Sequence, residues 1–499
     1  MCIGSLNVRT LKSKESLIEL EEAFENSNLE ILGISEIRRN GETILKTRKN
    51  NLLCYCGNKE GQRGVGFLIG KNWRNKFLEF REVSDRIALA RFKTKGNNTL
   101  TLIQIYAPTA QSTETECDLF YQKLTETLEP IIPLKKNFLL ILGDFNSQIG
   151  ERLMEEHKIM GPYNYGTRNE RGERLIKFSH ENQLKIINIF FKKRLGRRWT
   201  WISPNHKHKN QIDYMLTPNK INEIVDFDTV SSFRFHSDHR LLKCKIKISG
   251  RRYTQSKNNK NIKNTYYIDK NNAASYEAEL NGKLKGMTEI MNLNPVEHLK
   301  LINEKIIETS ENISKANKTR KIGPAIPIEI KKQIRDREKL KKKRKKNSTD
   351  RLNLNIISKS IKINLRIYNE QKDKKMIQEI LESTKSTKTI RKNLAPGNSL
   401  TTYLFNEKGE KIYDRKEIND LATRYYLKIY NDPIKNLVTK KPEEVQAEPE
   451  VIPNEIEIIL KNLKLNKTPG HDKITNEHMK YGGPLLVKHL TNIFNKILW

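Results

Sequence analysis

The amino-acid sequence predicts a largely antiparallel α+β sandwich over its first half. Three observations carry that expectation. Up to about residue 248, short apolar runs bounded by turn residues follow one another closely, only three stretches between them have a helical period, and polar residues suited to chemistry fall at the ends of the apolar runs. A chain of 499 residues has room for two to four domains at roughly 100 to 200 residues each, so the second half is read separately.

In chain order the candidate strands begin with CIGSLNV, LEILGIS (29–35), GVGFLIG (64–70), RIALARF (86–92), LTLIQIYA (100–107) and NFLLILG (137–143). KIINIF (185–190), RWTWI (198–202), QIDYML (211–216) and LLKCKIKI (241–248) follow. Helices are expected over 14–26, 114–132 and 171–182, where Leu, Ile or Phe recur at three and four residues.

From Ser249 the character changes to RRYTQSKNNKNIKNTYY, an exposed Lys/Asn-rich linker that closes the first domain. Residues 274–393 are mostly helical in period, with breaks at GPAIP (323–327) and NSTD (347–350). The expected division is therefore 1–248, a basic and mostly helical connector over 249–400, and a last segment over 401–499. Lys331 to Lys346 holds eleven basic residues in sixteen. A solvated helix face is the bland account of such a run, and nucleic-acid contact or nuclear import through KKKRKK (341–346) is the functional one.

The net charge of +34, with an isoelectric point near 9.7, attracts a polyanion at long range and makes nucleic acid the first partner to consider. Membrane association is not expected. No apolar run nears the roughly 18 residues that span a bilayer, and Met1 leads directly into CIGSLNV without the plan of a signal peptide. A nuclear protein with cytoplasmic passage is expected. The five cysteines, Cys2, Cys54, Cys56, Cys117 and Cys244, form no CxxC pair, which argues against a disulfide framework and a zinc site. Cys54 and Cys56 read as small hydrophobes on one side of a strand.

Hydrolysing a phosphodiester at neutral pH needs a hard cation, a group that positions or deprotonates water, and donors for charge developing on phosphate oxygens. The strand ends supply such groups in order: Asn7 in SLNVRT, Glu36 in GISEIRR, Tyr106 in IYAPT, Asp144 and Asn146 in ILGDFNSQIG, Asp213 in QIDYML, and Asp238 with His239 in HSDHRLL. Singly, each is no more than a polar turn after a strand. Together they make a site where loops converge.

In this order of motifs the first half resembles the endonuclease/exonuclease/phosphatase superfamily. It is most similar to the apurinic-like endonuclease of non-LTR (LINE-type, RTE-like) retrotransposons. The resemblance implies a four-layered α/β sandwich of two packed sheets with outer helices. It implies that Glu36 binds Mg²⁺, with Mn²⁺ as an alternative ion, that Asn7 lies at the metal and phosphate edge, and that Asp238 is a second metal-side carboxylate. Asp144 would activate water and Asn146 would donate to a phosphate oxygen. His239 would donate to the scissile phosphate while Asp213 orients its ring, and Tyr106 would present a phosphate-side hydroxyl. The repair branch of the family has an acidic residue two positions after the first asparagine; here it is Arg9, a basic group near the phosphate.

The segment RLGRRWTWISPNHKHKNQIDY joins Arg194, Arg197 and Arg198 to Trp199 and Trp201, a mixture able to meet phosphate and sugar or base, with one of the two tryptophans expected in the core. His206 and His208 read as a solvated hairpin rather than metal ligands. Toward the C-terminus, a hairpin around Glu407, Lys408 and Gly409 and a helix precede VIPNEIE (451–457) and KTPGHDKI (467–474). Pro469, Gly470 and Asp472 resemble the opening block of the reverse transcriptase of the same elements. No YxDD hairpin occurs, so the chain is expected to carry a truncated polymerase without polymerase activity. The function expected is nicking of a DNA target to leave a 3′ hydroxyl, with element RNA as a further partner. The alternatives are a catalytically silent nucleic-acid-binding protein and a superfamily phosphatase acting on small phosphate esters.

Overall fold

The computed structural model describes residues 1–247, 268, 272–286, 291–316, 326–343, 347–382, 398–430 and 449–498, apart from 59, 95, 97, 135, 206, 466, 468 and 471. The linker expected after residue 248 falls almost wholly outside the described residues, as do His206, His471 and 344–346 of the basic run.

Packing groups the chain differently from a linear division at 248 and 400. One compact unit is Met1–Arg251 with Pro324–Asp432, and the other is Arg252–Gly323 with Pro433–Trp499. The first unit opens with β1 (Cys2–Asn7), α1 (Lys14–Glu25), β2 (Ile31–Ser35), β3 (Thr43–Lys46), β4 (Leu52–Cys56) and β5 (Val65–Ile69). It continues through β6 (Phe77–Ser84), β7 (Ile87–Lys93), β8 (Thr99–Tyr106), α2 (Glu114–Leu128), β9 (Asn137–Asp144), α3 (Glu170–Glu181) and β10 (Lys185–Ile186). The short hairpin β11 (Trp201–Ile202) and β12 (Lys209–Asn210) precedes β13 (Asp213–Thr217), β14 (Ile224–Val230) and β15 (Leu241–Ile246).

Two packed sheets result. One has the strand order β14-β15-β1-β2-β5-β4-β3, extended at β3 by a strand from the C-terminal half, and the other runs β10-β13-β9-β8-β7-β6. The sheets are mixed rather than purely antiparallel. β1 pairs with β2 and β8 with β9 in parallel, and each pair is joined by a helix, α1 or α2, because a parallel connection needs a crossover. Side chains alternate between layers: Ala88 and Ala90 of β7 enter the core between the sheets with Phe67, Leu140 and Met215, while Ile87 and Leu89 face α2 and α3. Leu17, Leu20 and Phe24 of α1 cover the outer face of the first sheet. The layers run helix, sheet, sheet, helix.

The three helices start where side chains cap them. Ser13 accepts from Ser16 N at 3.1 Å, Thr113 from Glu116 N at 3.2 Å and Asn169 from Gly172 N at 2.9 Å. Gly143 has φ +150°, and a Cβ there would lie 2.1 Å from Ile105 O, so β9 can pass β8 at this point only as glycine. Cys54 and Cys56 share the inter-sheet core, where burial pushes both thiols far above their ordinary range. Two expected strands shrink to a pair of residues: the run 185–190 becomes a 3-10 turn after Ile186, and 198–202 keeps only Trp201–Ile202.

The same unit contains α6 (Ile328–Lys342) and α7 (Ser348–Glu382), numbered after α4 (Ala273–Lys285) and α5 (Pro295–Ala316) of the other unit. Ile326, Ile330, Ile334, Ile361 and Leu365 form a small core with Ile18 of α1. β16 (Asn398–Leu400) then pairs antiparallel with β3, and β17 (Leu404–Phe405) and β18 (Lys411–Ile412) make the hairpin before α8 (Arg415–Tyr430). The second unit packs α4 and α5 with α9 (Pro453–Asn462), α10 (Asn476–Lys480) and α11 (Gly483–Leu498) around Tyr276, Leu280, Ile306, Leu486 and Leu490. Among the described residues no helix is long and apolar enough to cross a membrane.

Candidate active site

Strand register sets the site. Asn7 closes β1 opposite Ser35, so Glu36 emerges beside it from the end of β2. In the other sheet Tyr106, Asp144 and Asp213 stand side by side, with Tyr106 paired to Asp144 and Asp144 to Asp213. His239 lies two residues before β15 and is bridged to Trp201. Both sheets therefore end at one place.

The side chains there form a continuous chain. Asn7 Nδ2 donates to Glu36 Oε1 at 2.8 Å and to Asp144 Oδ2 at 2.9 Å. Asp144 Oδ2 lies 3.8 Å from His239 Nε2, and His239 Nδ1 is 3.0 Å from Asp213 Oδ2. Ligand atoms of Asp144, Asp213 and His239 lie within 4.8 Å of one another, a buried grouping consistent with metal binding. Burial raises the Asp144 carboxyl above its ordinary range, and the charge of Asp213 adds to this while His239 opposes it. Burial alone would lower the His239 imidazole, but the charge and hydrogen bond of Asp213, with Asp144 and Asp238, raise it above the usual histidine value. The ring faces Asp213 with Nδ1 and turns Nε2 toward Asp144.

Local backbone devices hold the loops. Ser237 Oγ donates to Asn7 O at 2.6 Å and accepts from His239 N at 3.0 Å, tying the loop before β15 to the end of β1. Thr200 Oγ1 accepts from Ile212 N and Asp213 N. Arg9, Glu36, Arg38 and Asn146 all adopt positive φ between 49° and 58°. For non-glycine residues this conformation costs roughly 1–3 kcal/mol each, and such strain clusters at functional sites.

Asn7, Glu36, Tyr106, Asp144, Asn146, Asp213, Asp238 and His239 all reach this region. Asn146 Nδ2 donates to Ala107 O at 2.8 Å, so one of its amide hydrogens is already engaged. Tyr106 hydrogen-bonds Glu36, and burial, with the nearby carboxylates, raises its phenol pKa. Arg9 Nε lies 3.6 Å from Asp238 Oδ1, and Trp201 Nε1 donates to Asp238 Oδ2 at 3.3 Å. Arg194 and Arg197 are exposed, with Arg197 paired to Asp228 at 3.6 Å. Arg198 is spent on backbone carbonyls, donating to Lys193 O and Asn164 O with its guanidinium over the Tyr163 ring. Neither Trp199 nor Trp201 enters the core, contrary to the expectation for one of them; both are half-buried, Trp201 in a hairpin only two residues deep per strand and Trp199 two residues before it, against the Arg240 guanidinium. His208 is exposed.

Sequence reasoning missed Arg38, whose Nη2 donates to Glu36 Oε2 at 2.6 Å, and Arg240, whose guanidinium sits 3.2 Å from the Trp199 ring centroid. Both lie inside motifs already singled out, EIRR and SDHR, and a search for cations flanking each carboxylate would have found them.

A family model described as endonuclease-reverse transcriptase matches residues 100–243, a span that includes Tyr106, Asp144, Asn146, Asp213, Asp238 and His239. The chain is 36% identical over 249 residues to craniofacial development protein 2 of Bos taurus, covering 50% of this chain and 41% of that protein. It is 34% identical over 249 residues to the protein of the same name from Tragulus javanicus, covering 50% and 42%. The chain thus spans about two fifths of the length of the curated relatives it matches. Among solved structures it is similar to the endonuclease domain of TRAS1, a telomere-specific non-LTR retrotransposon, at 14% identity and a TM-score of 0.36 over 50% of this chain and 99% of that one. It is also similar to the Xenopus laevis APE2 catalytic domain, at 17% identity and a TM-score of 0.37 over 50% and 92%.

Proposed function

We propose that the first compact unit is a Mg²⁺-dependent endonuclease that hydrolyses a DNA phosphodiester and leaves a 3′ hydroxyl, as an element of the non-LTR retrotransposon type requires for target-primed copying. The observation that carries the reading is the unbroken chain from Glu36 through Asn7 to Asp144, facing the Asp213-supported His239 at the common end of two sheets. The endonuclease-reverse transcriptase likeness over 100–243 supports it.

The donors fit a hard cation. Glu36 and Asp238 are carboxylates, and Asp238 Oδ1 is buried without a hydrogen-bond partner, with Arg9 Nε 3.6 Å away; Asn7 turns its Nδ2 to Glu36 while its Oδ1 accepts from Arg9 N at 2.9 Å. Glu36 and Asp238 would hold Mg²⁺, with Mn²⁺ as an alternative and Asn7 orienting Glu36 at its edge, and the bound ion would neutralise phosphate charge. In the hydrolysis, Asp144 takes the proton of a water whose oxygen bonds to phosphorus. The P–O3′ bond breaks, and the departing oxygen takes a proton from solvent. His239 and Asn146 donate to phosphate oxygens, and Tyr106 lies alongside with its hydroxyl. Arg194, Arg197 and Trp201 would contact flanking nucleic acid. Residues 401–499 would be the opening of the element's reverse transcriptase, element RNA would be a further partner, and the protein would work in the nucleus.

The test is conversion of supercoiled plasmid to open circle by the full chain, with Mg²⁺ and with chelator, beside Asp144→Ala and His239→Ala. Nicking that needs the metal and falls by roughly 10²–10⁴-fold in each variant is expected. If the wild type and both variants bind DNA alike and none nicks it, the catalytic reading fails and a nucleic-acid-binding protein takes its place.

A further inference from the structure

Beside the catalytic loop lies a cavity of about 710 Å³, bordered by Asp238 and His239 on one side and by Lys341, Lys343, Arg351 and Asn355 on the other. The second group belongs to α6, the turn after it and the start of α7, the segment whose basic run the sequence left open between a solvated face and a functional one. Asp238 is the one carboxylate among its lining residues, against seven lysines and arginines.

The basic wall is fixed, not tethered. Arg337 is 1% exposed and its guanidinium is paired with the equally buried Glu19 of α1. Lys341 Nζ donates to Phe235 O at 3.1 Å, and Ser358 Oγ of α7 meets His236 Nδ1 at 3.3 Å. Phe235 and His236 belong to the loop that carries Asp238 and His239, so α6 and α7 are fastened to the catalytic loop itself. Lys343 and Arg351, by contrast, are exposed, Lys343 pairing its Nζ with Asp350 Oδ1 at 2.8 Å. Opposite them the Arg240 guanidinium lies against Trp199, with Lys209 on the same ring, giving the cleft a flat apolar and cationic surface.

We propose that this cleft holds the sugar-phosphate backbone of a DNA strand running on from the scissile phosphate, so that α6 and α7 form one wall of the substrate channel. The proposal deepens the endonuclease reading and rests on it. A cleft that begins at the catalytic histidine, carries excess positive charge and offers an aromatic face matches a polyanionic strand better than an isolated anion.

The test uses the full chain carrying Asp144→Asn, so that binding is read without turnover, and a labelled duplex titrated across salt concentrations. Adding Lys343→Ala with Arg351→Ala should weaken binding roughly ten- to fifty-fold near 0.1 M salt and flatten the log–log salt slope by about two. The pair Lys123→Ala with Lys177→Ala, on the outer helices α2 and α3, should leave both unchanged. Arg351→Glu alone should weaken binding and Arg351→Lys should restore most of it, which separates lost charge from lost folding. Shortening the duplex on one flank of the nick should erase the difference between the Lys343/Arg351 variant and its parent, while shortening the other flank should not. Equal affinity and equal slope for that variant and its parent would overturn the channel, as would a difference indifferent to both flanks. Absence of nicking by the wild type would count against the catalytic reading alone, because these binding outcomes do not depend on turnover.

Discussion

His236 sits three residues before His239 and has the opposite electrostatic fate. Burial, with the charges of Lys341, Arg337, Arg9 and Lys362, pulls its pKa down to about 3. The unfolded chain takes up this proton near the ordinary value of about 6.5, and the folded chain only near 3. Between those limits the unfolded state binds more protons, so the contribution of His236 is complete above about pH 6.5 and is lost as pH falls toward 3, at up to about 1.4 kcal/mol per unit. Urea midpoints at pH 7 and pH 5 should therefore differ less in His236→Asn than in the wild type, and equal differences would refute the assignment. The candidate set was legible at this scale because its members sit at the margins of apolar runs: Asn7, Glu36, Asp144 and Asp213 could be read off as polar residues at strand termini. What joins them could not be read. The approach of Arg9 to Asp238, 229 positions apart in the chain, and of Arg38 to Glu36 depends on how strand ends meet and how φ turns positive, which no local pattern encodes.

At the scale of elements, most apolar strands of the core were visible, β4 (LLCYC) being left out of the expected strands, and the polar ones were not. β6, FLEFREVS, and β14, IVDFDTV, lie at the ends of their sheets, where one side of each strand is open and charged residues are tolerated. Their alternation is diluted by Glu, Arg and Asp. The parallel pairs also escaped, since alternation does not tell direction. Between the sheets, Gln104 Nε2 donates to Ser35 Oγ at 2.8 Å, and Gly33 leaves it the space: a Cβ there would stand 1.9 Å from Gln104 Oε1. Gly33→Ala should destabilise the unit by about 1–3 kcal/mol in chemical denaturation. The docking of α6 depends on a buried ion pair, so Arg337→Ala, which strands Glu19, should cost about 3–5 kcal/mol, and adding Glu19→Met should recover much of that. An unchanged midpoint in Arg337→Ala would show that α6 does not pack as described.

For the molecule as a whole, the chain leaves the first unit near residue 251 and returns to it near 324, so the unit that holds the sandwich is completed by residues far along the sequence. The composition shift at 249 marks where strands stop, and nothing in the basic helices' pattern names the surface they cover, because Arg337 and Lys341 look like any other charges in a solvated run. A fragment of residues 1–250 should consequently melt below a fragment of residues 1–432 and bind duplex DNA more weakly; equal melting temperatures would mean that α6 and α7 contribute nothing to the fold. The strand β16 sharpens this expectation. Asn398–Leu400 lies along β3 at the margin of the larger sheet and occupies backbone donors and acceptors that would otherwise face water. Without it, β3 becomes an open template for a strand of another molecule, so a chain cut before residue 398 should self-associate at concentrations where the longer chain stays dispersed.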